Sequence, residues 1–183
     1  VFGLRVDDEL CLALVEPIHA EAVYHLVRAN RAYLARWEGW AARDEGLEGT
    51  RSFIRSQLEG FAAGSQIPTL IVAGGRPVGR CSLRIDLAQL TGEVGYWIAA
   101  DHQGRGLVTR AARALVGVGF TERGLQRVEL RTSADNRRSR AVAERLGFRL
   151  EGILRREHRV GERWDDLALY AALAGEWGAP PAG

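Results

Sequence analysis

The sequence predicts one α+β domain with a mostly antiparallel sheet and flanking helices. Three observations carry that expectation. The hydrophobic periodicities run in the order strand, two helices, three strands, helix, strand, helix, two strands. The Gly74-Gly75-Arg76 turn joins two of the strands tightly enough to make them antiparallel neighbours. The 183 residues, 46% hydrophobic and 26% charged, suit one ordinary core without linkers or repeats. The domain is expected to cover residues 1–177, leaving 178–183 as a flexible Pro/Gly/Ala-rich tail.

Each element has its own reason. Residues 10–15 alternate as a first strand, and Pro17 opens a helix with Ala22, Val23, Leu26 and Val27 at helical spacing. An aromatic connection, 34–40, leads to a second helix over 47–63, with Phe53, Ile54, Leu58 and Phe61 on one side and Gly64 at its end. Strands follow at 69–73, 77–85 and 91–98. A polar glycine-bearing turn, 101–106, then precedes a helix over 107–122 marked by Leu107, Ala111, Leu115 and Val118. Residues 126–132 return to strand, and 136–146 form a short helix that Gly147 stops. Strands at 148–154 and 166–173, joined across a turn near Gly161, complete the order.

Composition excludes several classes. All 25 basic residues are arginine, and the net charge is only +2, which argues against a concentrated nucleic-acid-binding face. No apolar run approaches the roughly 20 residues that cross a membrane. The acidic start at Asp7-Asp8-Glu9 is not a secretory signal, and a cytoplasmic location is expected. Cys11 and Cys81 sit in apolar strands and read as small buried hydrophobes rather than as a disulfide, a zinc site or an activated nucleophile. His19, His25, His102 and His158 lack ligand spacing, so no metal is expected.

The turn Gln103-Gly104-Arg105-Gly106 before Leu107-Val108-Thr109 carries the chemistry. A helix N-terminus offers unpaired N–H groups and a positive dipole end, and two glycines let an anion approach the backbone. Arg105 and Arg110 could add charge there, so a diphosphate is the natural guest, against the alternative of a merely structural turn with solvated arginines. A P-loop needs a lysine that the chain lacks. A dinucleotide fold needs a third glycine where Thr109 stands.

At these residues the sequence resembles the GNAT superfamily of acetyl-coenzyme A-dependent N-acetyltransferases, whose pattern is Gln/Arg-x-x-Gly-x-Gly/Ala. Val108 departs from it at the last position. Gly95-Tyr96-Trp97-Ile98, Asn136-Arg137-Arg138-Ser139, Leu146-Gly147-Phe148, Glu151-Gly152 and Trp164-Asp165-Asp166 stand in the order of the bacterial RimJ/RimL-type ribosomal-protein N-terminal acetyltransferases. The resemblance covers residues 10–172.

It implies a sheet splayed beside the turn and a strand, 93–98, whose free backbone groups meet the pantetheine arm. The backbone of Trp97, Ile98 and Ala99 is assigned to that arm and to polarising the thioester carbonyl. Gln103 to Arg110 is assigned to the pyrophosphate, with Asn136 positioning cofactor or strand. Ser139 is the candidate acid for the leaving thiolate, or an N-cap, or both. The base is left between Glu93 and His158, the latter standing where RimL-like enzymes carry a glutamate and next to Glu157. Arg137, Arg138 and Arg140 read as a solvated face or as a site for the ribose phosphate.

The acceptor groove is expected from the first two helices, with Tyr33, Trp37 and Trp40. The acceptor itself is left between a protein N-terminus, such as a ribosomal one, and a small-molecule amine held by carboxylates such as Asp44, Glu45 and Glu48. A non-catalytic coenzyme A-binding module is the reading from another class. RimL-like enzymes often pair, so the resemblance also allows a homodimer.

Overall fold

The computed structural model of the chain describes residues 3–178. Of the expected tail, only Gly178 lies within them. Eight strands form one sheet in the order β1-β2-β3-β4-β5-β6-β8-β7. They are β1 Gly3–Arg5, β2 Leu10–Leu14, β3 Gln66–Ala73, β4 Arg76–Asp86, β5 Thr91–Ile98, β6 Arg127–Ser133, β7 Arg149–Val160 and β8 Arg163–Leu173. The helices are α1 Ala20–Leu34, α2 Gly46–Ala62, α3 Leu107–Thr121 and α4 Arg137–Leu146. The mostly antiparallel α+β architecture is the one the sequence predicts, and β5–β6 is its one parallel pair.

Helices pack on both faces of the sheet, and its strands divide their apolar residues accordingly. On β4, Cys81, Leu83 and Ile85 join the larger core, to which α3 adds Ala111, Leu115 and Val118. Arg80, Ser82 and Arg84 occupy the other face, where they line a groove. On β3 the same division sends Ile67 and Ile71 to the α3 side and Leu70 to a second core with Val23 of α1 and Ile54 of α2. Cys81 is fully buried, and burial pushes its thiol up to about 12, which leaves no reactive thiolate.

Three local departures have physical reasons. The helix expected at Pro17 begins as a 3-10 turn, Pro17–His19, before α1 proper. Strand β1 is an edge strand of three residues, too short for its alternation to register. Strand β7 runs six residues past the expected end at Leu154. The extension, Arg155-Arg156-Glu157-His158-Arg159-Val160, is charged and has no apolar period. It pairs with β8 through the turn at Gly161 (φ +62°), after a register shift between Leu154 and His158.

The feature that builds the site is a failure of pairing. β5 meets β6 only at Thr91, Gly92 and Glu93, opposite Arg127, Val128 and Glu129. Beyond Glu93 the strands part, with α3 leaving the end of β5 and α4 leaving the end of β6. On its other side β5 stays fully zipped to β4, from Asp86↔Thr91 to Gly79↔Ile98. That pairing brings backbones close at Gly79, where a Cβ would sit 2.3 Å from the Trp97 carbonyl oxygen.

Candidate active site

The gap opens into a groove of about 2150 Å³ that runs from the 103–109 turn to the α1–α2 connection. At one end, Gly104 (φ +76°) and Gly106 (φ +71°) hold left-handed backbone and deliver the chain into α3. Among the described residues, the first turn of α3 has neither a side-chain cap nor an acidic residue. Its N–H groups therefore face the groove unclaimed, which is the donor set a pyrophosphate fits. Gln103, Gly104, Gly106, Leu107, Val108 and Thr109 line this end.

Arg105 and Arg110 do not. Arg105 binds Glu9 at 2.5 Å, and Arg110 binds Asp7 at 2.5 Å and Glu9 at 3.0 Å. Both turn from the groove toward the β1–β2 connection, where the Arg110 guanidinium helps hold Asp7 and Glu9 below the usual carboxylate range. The two guanidiniums expected to add charge at the turn are thus paired with carboxylates outside the groove in this structure. Three arginines of α4 line the groove, Arg137 among them: Arg138 meets the Gln103 side chain, and Arg145 donates to Thr109 Oγ1 at 3.4 Å. Arg140, expected to cluster with Arg137 and Arg138, bonds Tyr170 and the Ala134 carbonyl. Arg145 was missed because its place opposite Thr109 depends on how two helices pack.

Strand alternation decides which backbone groups of β5 enter the gap. Ala99 N–H donates to the Val78 carbonyl at 2.8 Å, and the Trp97 carbonyl turns toward Gly79. Both are therefore used on the β4 side, and the intervening groups of Tyr96 and Ile98 point toward β6. Of the three residues expected to present free groups, only Ile98 does so; Tyr96 is the other. Trp97 is buried and packs near Trp40, with ring centroids 6.3 Å apart.

Asn136 is the N-cap of α4, accepting from Ser139 N–H at 3.1 Å. Ser139 is thus not the cap, and its hydroxyl lies 2.9 Å from the Tyr96 hydroxyl, which also donates to the Ser139 carbonyl at 3.2 Å. Burial pushes the Tyr96 phenol above its ordinary value, so it remains a proton donor throughout the working pH range.

The candidate bases lie toward the other end of the groove. Glu93 is bound to Arg84 at 2.8 Å. His158 Nε2 is 2.9 Å from the Trp37 carbonyl oxygen. A carbonyl only accepts, so Nε2 donates there, and Nδ1 is the ring nitrogen that the backbone does not engage. Glu157 pairs with Arg131 at 3.3 Å. Glu38, which the sequence did not single out, also lines this end and accepts from Trp40 Nε1 at 2.9 Å. Burial raises its carboxyl above the usual range, against the Trp40 hydrogen bond and the charges of His158 and Arg80.

Sheet and groove together are those of an N-acetyltransferase. Residues 9–149 match the family described as the acetyltransferase (GNAT) domain, and the chain belongs to that family. YdaF of Bacillus subtilis strain 168, named only provisionally as a ribosomal N-acetyltransferase, is 32% identical over 97% of this chain and 98% of its own. The ribosomal-protein-serine acetyltransferase of Escherichia coli K12 is 29% identical over 93% and 96%. A solved RimL structure, described as a ribosomal L7/L12 α-N-protein acetyltransferase in complex with coenzyme A, is 26% identical. It superposes with a TM-score of 0.90, covering 94% of this chain and 98% of that one.

Proposed function

We propose that this acetyl-coenzyme A-dependent N-acetyltransferase acts on the N-terminal α-amine of a protein, a ribosomal protein being the first candidate. The observation that carries the acceptor class is the charge of the groove. The carboxylates that could have held a polyamine lie elsewhere: Asp44 binds Arg31 at 3.0 Å, Glu48 faces Arg51 and Arg55 at 3.5 Å, and neither they nor Glu45 line the groove. Inside it Glu93 and Glu157 are matched by arginines. An open trough lined by more arginines than carboxylates favours a chain end over a polycation, and the relatives named for ribosomal proteins agree with that choice.

The donor supplies an activated thioester. In this reading the α3 N-terminus, with Arg138 and Arg145 of α4, binds its phosphates. The inward-facing backbone of Tyr96 and Ile98 takes the pantetheine arm. The acceptor amine lies over β5 at Gly95, where a missing side chain leaves Ser82 Oγ 3.9 Å from the ideal Cβ position. An α-amine has a pKa of roughly 7.7–8.0, so a weak base is enough to free its lone pair. His158 Nδ1 takes that proton, in preference to Glu93, whose carboxylate Arg84 engages. Ser139 gives its proton to the departing sulfur and regains the one that the new amide nitrogen sheds as the intermediate collapses, and the Tyr96 hydroxyl turns its own hydrogen bond onto Ser139 Oγ as charge builds there.

The test is thiol release, with mass spectrometry of the product, across peptides bearing free N-termini, the same peptides blocked, and spermidine. Transfer to free N-termini is the expected result. Transfer to spermidine alone would overturn the acceptor class, and cofactor binding without transfer would overturn the enzymatic reading.

A further inference from the structure

Arg80 is placed as few arginines are. It sits on β4 opposite Trp97 of β5, on the face that turns toward the groove. Its guanidinium stacks 4.8 Å over the Phe53 ring of α2, and one terminal nitrogen is fixed by the Gln57 side-chain oxygen. Gln66 donates to that same oxygen, so Gln57 is itself held in place. The Arg80 head is therefore rigid, and its Nε is buried with no hydrogen-bond partner.

Among the described residues, no carboxylate reaches it within ion-pair distance. Arg84, four residues along the same face, is neutralised by Glu93 at 2.8 Å. Glu38 influences Arg80 electrostatically without contact, its carboxylate being engaged by Trp40. A half-buried cation without a counter-ion carries a cost, because the desolvation it does undergo is not returned by attraction. Burial lowers Arg80 only to about 10, so it stays charged in neutral solution. The surroundings thus prepare a cation, immobilise it and leave it unmatched, while the basic nitrogen of His158 lies in the same groove.

We propose that Arg80 selects the acceptor, binding an anionic group that the acceptor carries close to its reacting amine. For a protein N-terminus, that group is the carboxylate of an aspartate or glutamate in the first few residues. This rests on the groove being the acceptor site. A merely structural Arg80, propping Phe53 by stacking, would leave acceptor preference unchanged when its charge is removed.

The experiment compares kcat/KM for peptide pairs differing only by Asp against Asn, or Glu against Gln, at positions two and three. O-phosphoethanolamine is added as a small amine carrying phosphate. The native enzyme should favour the acidic member about tenfold or more, the effect expected of one charge-assisted contact. Arg80→Met, which keeps an apolar stem over Phe53, should bring the ratio to about one. Arg80→Lys should restore part of the preference, and Arg80→Glu should shift it to a Lys-bearing peptide.

Preference for O-phosphoethanolamine over every acidic peptide would support the anion site and assign its source to phosphate. Equal turnover of both members by the native enzyme, or an equal fall for both in Arg80→Met, would overturn the proposal. If no peptide is acetylated, the peptide reading of the groove fails. Calorimetric binding of the same pairs then decides on Arg80, with equal affinities overturning its role and a charge preference lost in Arg80→Met upholding it.

Discussion

The hydroxyl of Tyr96 lies 2.9 Å from Oγ of Ser139, joining β5 to α4 across the gap where β5 and β6 part. This is a hydrogen bond between two strongly conditioned groups: a buried phenol that holds its proton and a serine whose own amide is anchored by Asn136. Ser139→Ala should lower kcat by about 10²-fold, the low end of what general acids contribute, with little change in the KM for acetyl-coenzyme A. Tyr96→Phe should cost less alone and nothing further in the Ser139→Ala background. Steady-state kinetics of the three variants check this, since residues acting as a unit are non-additive.

Gly79→Ala would drive a methyl group to 2.3 Å from the Trp97 carbonyl oxygen, a backbone atom that no rotamer change can move. Overpacking of this kind costs about 1–3 kcal/mol, and Tm falls by about 2–4 °C per kcal/mol in a chain of this size. The displaced strand also carries the inward-facing groups of Tyr96 and Ile98. Activity should therefore fall further than the lost stability explains, measured well below the new Tm.

Arg145→Ala should raise the KM for acetyl-coenzyme A about tenfold, corresponding to ~1.4 kcal/mol, while kcat stays near native. Arg110→Ala should change that KM much less, because the side chain is bound to Asp7 and Glu9. Titration of both variants with coenzyme A by calorimetry separates the two arginines directly.

Glu38 gives a pH test of stability. Its folded carboxyl is raised by burial, so the folded state binds its proton more tightly than the unfolded chain does. The contribution of that proton is full below the ordinary carboxylate value and is lost as pH rises through the raised folded value. Glu38→Gln removes the cost of the ionised form. Denaturant titrations should show it more stable than native at pH 8 and indistinguishable at pH 4.

The donor half of this site was largely legible in the sequence, because it is made of backbone. Glycines spaced around a turn, a polar approach and a helix behind it announce left-handed dihedrals and unclaimed N–H groups whatever surrounds them. Side-chain destinations were not legible in the same way. Arg105 and Arg110 find carboxylates about a hundred positions away on the β1–β2 connection, and no local pattern records that. Arg80 and Arg84 look alike on an alternating strand, and only the fold shows that one meets a carboxylate while the other lies under Phe53 unpaired. Glu38 reads as one more polar residue in an aromatic connection until α1 and β7 close around it.

The ion pairs of Arg105 and Arg110 with the β1–β2 connection also set how this enzyme can diverge. By drawing two guanidiniums away, they leave the proposed phosphate site to the main-chain amides of α3 and the arginines of α4. The opposite wall, with Arg80, Glu38, His158 and the tryptophans, is written entirely in side chains. On the proposed reading, a substitution in that wall changes which acceptor is held while the donor end of the groove is left as it was.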